Sequence, residues 1–235
     1  MEEPGLDDGQ LMFAFAHDIR SYLRTTLTRI QLVQTGGGSA LPEQDRQFLE
    51  EAAAAAGDMN RLLSAMVAYC DAPRSALKAA DKLPLELLIR GVVSEMKTSL
   101  NEAGAEVSVE SKYDGRAPEA LRTVFRELLN NSCQFRSPER PLAIEVRARA
   151  TEAGAAEITI SDNGSGVEEK WTERIFRPFQ RMHSRADLHR ANCRGFGLGL
   201  ALCRRTVEAL GGTISASVRK DGGLSVLLVV PAESL

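Results

Sequence analysis

The sequence predicts an α+β protein of two domains: an N-terminal two-helix hairpin that forms a dimeric four-helix bundle, then an α/β sandwich with a mixed sheet. Apolar residues recur at helical spacing through the first 72 residues. Beyond them, short apolar runs at strand spacing alternate with helical stretches. The net charge is −6 for residues 1–72, from five Arg against eleven Asp and Glu. It is +3 for residues 73–235, from 24 basic against 21 acidic residues.

The boundary between the two domains, 1–72 and 73–235, is placed at Pro73. Proline disfavours the helical conformation in the residue before it, so the helix that runs up to Pro73 is expected to end there.

The first domain is predicted to be a pair of long amphipathic helices. Glycines 36–38 end the first helix, and Pro42 with acidic neighbours begins the second. Two helices expose more apolar surface than they can cover themselves, so pairing with a second copy is expected. The apolar stripes comprise Ala16, Ile19, Leu23, Leu27, Ile30 and Val33, then Phe48, Ala52, Ala55, Met59, Leu62, Met66 and Tyr69.

The second domain is predicted to contain three helices and five strands. The last two strands form a hairpin around Asp221-Gly222-Gly223. The helices are predicted at 84–101, 118–135 and 199–210, and the strands at 106–110, 142–149, 157–161, 213–218 and 224–230.

Composition excludes several classes of protein. With 43% hydrophobic and 26% charged residues the chain can build a core, which excludes wholesale disorder. A net charge of −3 and a pI near 5.8 give no basic field for nucleic acid. The four cysteines lack zinc-ligand spacing and are expected to be thiols. No apolar run is long enough for a membrane span, so a cytoplasmic protein is expected.

Two glycine clusters are candidates for a phosphate site. Residues 162–166, Asp-Asn-Gly-Ser-Gly, follow a predicted strand, and residues 195–200, Gly-Phe-Gly-Leu-Gly-Leu, precede a predicted helix. Glycines let backbone N–H groups approach a ligand closely, and a helix N-terminus adds a positive partial charge. Each cluster taken alone is equally consistent with a tight turn.

The helix predicted at 118–135 carries polar residues that could face these loops. Glu127 and Asn131 are four residues apart and therefore share a helix face. Oxygen ligands opposite phosphate loops are suited to a Mg²⁺ ion that keeps most of its waters. An Asn on its own would be an ordinary solvated residue.

Four segments in this order resemble the N, first glycine, F and second glycine boxes of the histidine-kinase ATP-binding domain, which shares a superfamily with gyrase and the heat-shock chaperones. They are residues 127–135, 162–167, 175–179 and 195–200. The run 174–183 is most similar to the phytochrome-type branch. Residues 16–23, Ala-His-Asp-Ile-Arg-Ser-Tyr-Leu, resemble the H box of the dimerisation and phosphotransfer hairpin.

His17 lies about 130° around the helix from the apolar stripe, so it is expected to be exposed. Without the neighbouring H-box residues, a solvated His with no function would be the simpler interpretation. The resemblance implies that a neutral His17 accepts a phosphoryl group from ATP. Asp18 would then accept a hydrogen bond from its second ring nitrogen. The phosphoryl group would pass to an aspartate of a response-regulator receiver domain.

The resemblance also implies roles in the second domain. Asp162 would accept a hydrogen bond from the adenine amino group, and Asn131 would coordinate Mg²⁺ on the triphosphate. The segment 180–194, rich in arginine, would be a lid. The residues implied to bind the nucleotide are Asn131, Asp162, Gly164, Gly166, Phe179, Arg181, Gly195, Gly197, Leu198 and Gly199.

This sequence departs from the family pattern at four positions. Tyr22 replaces a proline that kinks the helix, and Ser21 replaces the usual Thr or Asn, which puts phosphatase activity in doubt. Glu127 replaces the commoner Asn; gyrase-type ATPases use a glutamate there as a general base toward water. Gln134 replaces a basic residue.

Two alternatives to a kinase therefore stay open. One is a phosphotransfer adaptor with a non-catalytic ATP-like domain, and the other is an ATPase of the gyrase and chaperone kind. Only about ten residues precede Leu11, so the input is expected from a separate sensor protein or from the bundle of the homodimer.

Overall fold

The computed structural model describes residues 8–37, 41–78, 81–180 and 195–231. The chain divides into two compact units, Met1–Asp71 and Ala72–Leu235. The predicted α+β class, with N-terminal helices and a five-stranded mixed sheet, is confirmed.

The first unit is built from α1 (Asp8–Gly37) and the part of α2 (Glu43–Lys78) that precedes Ala72. The two helices pack through buried side chains that recur every seven residues, a spacing typical of helix pairs. The repeat comprises Ala16, Leu23 and Ile30 on α1 with Ala56 and Leu63 on α2. α1 continues through Tyr22, whose carbonyl accepts a hydrogen bond from the Thr26 hydroxyl.

The stripe predicted on α2 is not the one that the hairpin buries. Phe48 and Met59 belong to that stripe and are exposed, whereas Ala56 and Leu63 pack against α1. Val33, the last member of the α1 stripe, is exposed as well. A single copy of the hairpin therefore leaves apolar surface uncovered.

The expectation that the second helix ends at Pro73 is wrong. α2 continues to Lys78 with Pro73 inside it. Proline removes one backbone hydrogen bond from a helix interior. Ala76, one turn further on, is buried in the core of the second unit, and this burial favours the helical conformation beyond the proline.

In its described residues, the second unit contains two sheets and four further α-helices. β1 (Lys82–Pro84) pairs with β3 (Arg116–Pro118) in a small antiparallel sheet. The large sheet has the strand order β2-β4-β5-β7-β6. Its strands are β2 (Ala105–Ser111), β4 (Leu142–Ala150), β5 (Ala156–Asp162), β6 (Thr213–Val218) and β7 (Leu224–Val230). The helices are α3 (Leu85–Glu95), α4 (Lys97–Glu102), α5 (Leu121–Gln134) and α6 (Gly199–Ala209).

The large sheet is mixed because β2 pairs with β4 in parallel while its other pairs are antiparallel. Inward-facing residues alternate along β4, β5 and β7, as expected for a sheet covered on one face. Val146, Ile158 and Leu228 from these strands are buried with Phe125 of α5 and Val207 of α6. This core fixes α5 and α6 on the covered face.

Two predicted helices are shorter than expected. The stretch predicted at 84–101 breaks at Met96 into α3 and α4, and the one predicted at 118–135 begins only at Leu121. In both cases proline lies in a short strand, at Pro84 in β1 and Pro118 in β3. None of the described helices combines the length and the apolarity that crossing a membrane requires.

Candidate active site

Asp162 is the last residue of β5 and lies opposite Ile144 of β4. Only 8% of its surface is exposed. The backbone N–H groups of Gly164 and Leu224 donate to its Oδ1 atom, with N···O distances of 2.9 and 3.3 Å. The Ser132 hydroxyl donates to its Oδ2 atom at 3.1 Å. A carboxylate can accept about four hydrogen bonds, so this one is held in place and keeps acceptor capacity on Oδ2.

The loop after Asp162 packs between the end of α5 and the β6–β7 turn. The Ser165 N–H donates to the Phe135 carbonyl at 2.8 Å. Gly223 has a φ of +96°, and a Cβ atom there would collide with the Asp162 carbonyl. Gly164 and Gly166 also lie at close approaches, to Phe135 and to Gly223. The first glycine cluster is therefore a tightly packed loop around Asp162.

One face of α5 is directed at the second glycine cluster. A Cβ atom built on Gly199 would lie 2.6 Å from Oε2 of Glu127, and one on Gly195 would lie 3.2 Å from Oε1 of Gln134. Asn131, on the same face between these residues, is half-buried. The structure thus brings Glu127 and Gln134 of α5 against the segment 195–199.

The Glu127 side chain is partly buried beside the second glycine cluster. Burial raises its pKa, and the nearby Arg126 opposes the shift. Burial also raises the pKa of the Cys203 thiol well above its usual value, with Glu127 adding to the shift in the same direction. The side chain of Glu127 therefore lies where α5 faces α6, near Gly199 and Cys203.

A backbone hydrogen bond joins Phe179 and Gly197, which lie on either side of the predicted lid. The Phe179 N–H donates to the Gly197 carbonyl at 2.9 Å. Phe179 has a φ of +62°, which is rare for a bulky residue, and its ring is exposed. Leu198, next to Gly197, is buried at the start of α6. Arg181 and the rest of the lid, 181–194, lie outside the described residues.

In the first unit, His17 is exposed on α1, as its position relative to the apolar stripe predicts. Its side chain and that of Asp18 are each 77% exposed, and Nδ1 of His17 lies 3.3 Å from Oδ1 of Asp18. A hydrogen bond at Nδ1 leaves the Nε2 atom free.

Sequence reasoning missed three groups around Asp162. Ser132 was overlooked because a Ser inside a helix carries no pattern of its own. The Leu224 N–H belongs to a segment distant in sequence, and so does the Arg140 side chain, which donates to the carbonyl of Asn163, the residue after Asp162. The strand pairing of β5 with β7 brings Leu224 close, a contact that only the sheet order reveals.

Residues 116–234 match the family described as histidine kinase-, DNA gyrase B-, and HSP90-like ATPase. The chain belongs to this family. It is 26% identical over 234 residues to the phytochrome-like protein Cph1 of Synechocystis, covering 98% of this chain and 30% of that protein. It is 27% identical over 226 residues to the sensor histidine kinase AruS of Pseudomonas aeruginosa, covering 91% of this chain and 22% of that protein. The chain thus spans less than a third of the length of these relatives.

Two solved structures share the fold of this chain. Full-length ShkA in complex with AMPPNP superposes with a TM-score of 0.72 at 21% identity, over 94% of this chain and 45% of that chain. The Acinetobacter baumannii histidine kinase AdeS superposes with a TM-score of 0.60 at 16% identity, over 90% of this chain and 98% of that chain. The predicted resemblance to histidine kinases, phytochrome-like proteins included, is confirmed.

Proposed function

We propose that this chain is a two-component histidine kinase that uses ATP to phosphorylate His17. An exposed imidazole hydrogen-bonded to Asp18, in a chain that also carries an ATPase-family unit, is the observation that carries this proposal. Residues 1–72 would serve dimerisation and phosphotransfer, and residues 73–235 would bind ATP.

Asp162 is proposed to select adenine. Within the part of the chain that the structure describes, Oδ1 accepts from two backbone N–H groups, whereas Oδ2 accepts one hydrogen bond, from the Ser132 hydroxyl. A further donor, such as the adenine 6-amino group, would complete the hydrogen bonds of Oδ2. Gly164 and Gly166 would shape the wall of this pocket by packing the loop against its neighbours.

The triphosphate is proposed to lie between α5 and the segment 195–199. Gly195, Gly197 and Gly199 would present backbone N–H groups to the phosphates next to the N-terminus of α6, where the helix dipole favours anions. Leu198 anchors this segment in the core, and Phe179 with Arg181 would close it from the lid side.

Mg²⁺ is proposed to arrive with the triphosphate, since it binds well to phosphate oxygens and water with few protein ligands. Asn131 would supply one amide oxygen from the face of α5 that is directed at the segment 195–199. The described residues hold no group of three or more His, Cys, Asp and Glu side chains that would form a cage. This donor set fits Mg²⁺ bound to a nucleotide, and Mg²⁺ would neutralise phosphate charge there.

The chemistry proposed is transfer of the γ-phosphoryl group to His17. The Nε2 lone pair forms a bond to the γ-phosphorus while the bond to the β,γ-bridging oxygen breaks, and ADP leaves with that electron pair. The proton on Nδ1 stays hydrogen-bonded to Asp18. A carboxylate of a receiver domain then takes the phosphoryl group, which restores the imidazole. Partner and kinase would meet in the cytoplasm.

A homodimer is proposed because the hairpin leaves apolar side chains exposed. Phe15, Phe48 and Met59 are each more than half exposed in a single chain. A second copy packed into a four-helix bundle would cover them.

A hydrolytic activity is the second candidate, and one observation favours it. Glu127 is a carboxylate with a raised pKa beside the second glycine cluster, as a general base toward water requires. Glu127→Gln separates the two activities. If Glu127 activates water, phosphate release falls and His17 phosphorylation persists.

The proposed function is tested by binding and labelling of the same sample. Calorimetry should show ATP binding that needs Mg²⁺ and that Asp162→Asn weakens at least tenfold, because an amide no longer accepts at the same two oxygens. The bound chain should then acquire phosphate that is labile in acid and stable in alkali. Absence of ATP binding would favour the adaptor, and phosphate release without self-phosphorylation would favour the ATPase.

A further inference from the structure

Arg140 lies just before β4, and its guanidinium group donates to three backbone carbonyls. Nε donates to the Asn163 carbonyl at 2.7 Å, Nη1 to the Asp221 carbonyl at 2.8 Å and Nη2 to the Gly164 carbonyl at 3.3 Å. Every guanidinium nitrogen therefore holds a different peptide unit.

The three carbonyls belong to the two segments that hold Asp162. Asn163 and Gly164 directly follow Asp162, and the Gly164 N–H donates to Oδ1 of Asp162. Asp221 lies within the β6–β7 turn, which brings the Leu224 N–H to the same oxygen. Arg140 thus connects the two segments whose backbone N–H groups donate to Oδ1 of Asp162, without contacting Asp162 itself.

The backbone beside Arg140 is itself fixed to this loop. The side chain of Asn163 donates from Nδ2 to the Pro141 carbonyl at 3.0 Å and accepts from the Ala143 N–H at 2.8 Å. The guanidinium also lies against Gly222, where a Cβ atom would collide with Nη2. Arg140 therefore has little freedom to move independently of the loop after β5 and the β6–β7 turn.

The geometry calls for a guanidinium group. Arginine presents five N–H donors in a rigid planar fork, whereas lysine has a single ammonium group on a flexible stem. One ammonium nitrogen cannot reach three carbonyls with the directions that the Arg140 nitrogens use. A lysine at this position would keep the charge and lose the connection between the two segments.

We propose that Arg140 is a positioning residue for base recognition: by joining the loop 163–164 to the β6–β7 turn, it sets the position of the Asp162 carboxylate toward the purine 6-position. This inference rests on the proposed binding of ATP at Asp162. Arg140 itself would contact no part of the nucleotide.

The test compares two nucleotides on the full chain by calorimetry with Mg²⁺. ATP carries the 6-amino group from which Asp162 would accept a hydrogen bond, and purine riboside triphosphate lacks this group. The variants are Arg140→Ala and Arg140→Lys, with Arg147→Ala as a matched control. Arg147 lies on β4 itself, and its ion pair with Glu145 is on the exposed face of the sheet. Fluorescence of Trp171, the single tryptophan, reports whether the second unit is folded.

Both Arg140 variants are expected to lose about tenfold in ATP affinity while affinity for purine riboside triphosphate changes less than twofold. Arg147→Ala should leave both affinities unchanged. Equal losses for the two nucleotides, or no loss for either, would overturn the positioning role. If Arg140→Ala does not fold, Arg140→Lys decides by the same comparison. Wild-type chain that binds neither nucleotide would instead overturn the proposed function.

Discussion

The hydroxyl group of Ser132 on α5 donates to Oδ2 of Asp162 at the end of β5, across an O···O distance of 3.1 Å. Ser132 is 3% exposed, and its hydroxyl also lies 3.2 Å from the Leu128 carbonyl. A hydroxyl has a single proton, so these two acceptors share it. The helix that carries Asn131 is in this way linked to the residue proposed to bind adenine.

Ser132→Ala is therefore expected to weaken ATP binding severalfold and to cost about 1 kcal/mol of stability, because Oδ2 loses its buried donor. Calorimetry and urea unfolding followed by Trp171 fluorescence measure the two effects. Ser161→Ala is the matched control, since it removes the hydrogen bond between Ser161 and Ser225 next to Asp162. Loss of affinity in both variants alike would contradict a specific role for Ser132.

Glu127→Gln is expected to gain stability relative to the wild type as pH rises. Burial raises the pKa of Glu127, so between its unfolded-state and folded-state pKa values the folded chain binds more protons than the unfolded chain. The contribution of this carboxyl to stability then falls with rising pH. The difference between variant and wild type should be larger at pH 7 than at pH 4.

Urea unfolding at the two pH values measures this difference, with the exposed Glu102→Gln variant as the control. A stability difference that is independent of pH, or that grows toward pH 4, would show that the folded state does not favour the protonated form of Glu127.

Replacing Phe179 by glycine is expected to give a protein more stable than replacing it by alanine, by about 1 kcal/mol. Both changes remove the ring, but a φ of +62° is strained for alanine and free of strain for glycine. Ordinarily the alanine variant would be the more stable of the two, because glycine gives the unfolded chain more conformational entropy; here that order of stability would be reversed. Urea titrations of the two variants decide the order, and greater stability of the alanine variant would contradict the left-handed conformation.

Met59→Glu is expected to convert a dimer into a monomer. Met59 lies in the predicted α2 stripe and is 51% exposed in a single chain. A charge at this position therefore costs little folding free energy in a monomer, but it would destabilise a dimer in which a second copy covers Met59. Light scattering at micromolar concentration measures the mass, and the exposed Glu50→Gln on the same helix is the control. Monomeric wild-type protein would rule out the bundle.

The sequence could predict most of the fold because periodicity is a local property. The β6–β7 hairpin was predicted at its observed bounds, and the exposure of His17 followed from its angle to the apolar stripe. The course of α2 through Pro73 could not be predicted, since it depends on the burial of Ala76 in the second unit.

In the candidate site, only the residues that belong to a recognisable sequence motif could be predicted. Asp162, Asn131 and the glycines stand in recognisable boxes. Ser132 and Arg140 act through contacts between segments distant in sequence, and no spacing rule indicates them. Which α2 face the hairpin buries also depends on how α1 packs, so the pattern of α2 alone could not decide between Met59 and Leu63.

Incubation with ATP labelled at the γ-phosphate tests most directly whether a nucleotide bound by the second unit phosphorylates His17. Wild-type chain should acquire acid-labile, alkali-stable label. His17→Gln should acquire none while binding ATP normally, and Asn131→Ala should lose both. The exposed Gln31→Ala variant on the same helix should be labelled like the wild type. Label retained on His17→Gln would contradict the assignment of His17 as the phosphoacceptor.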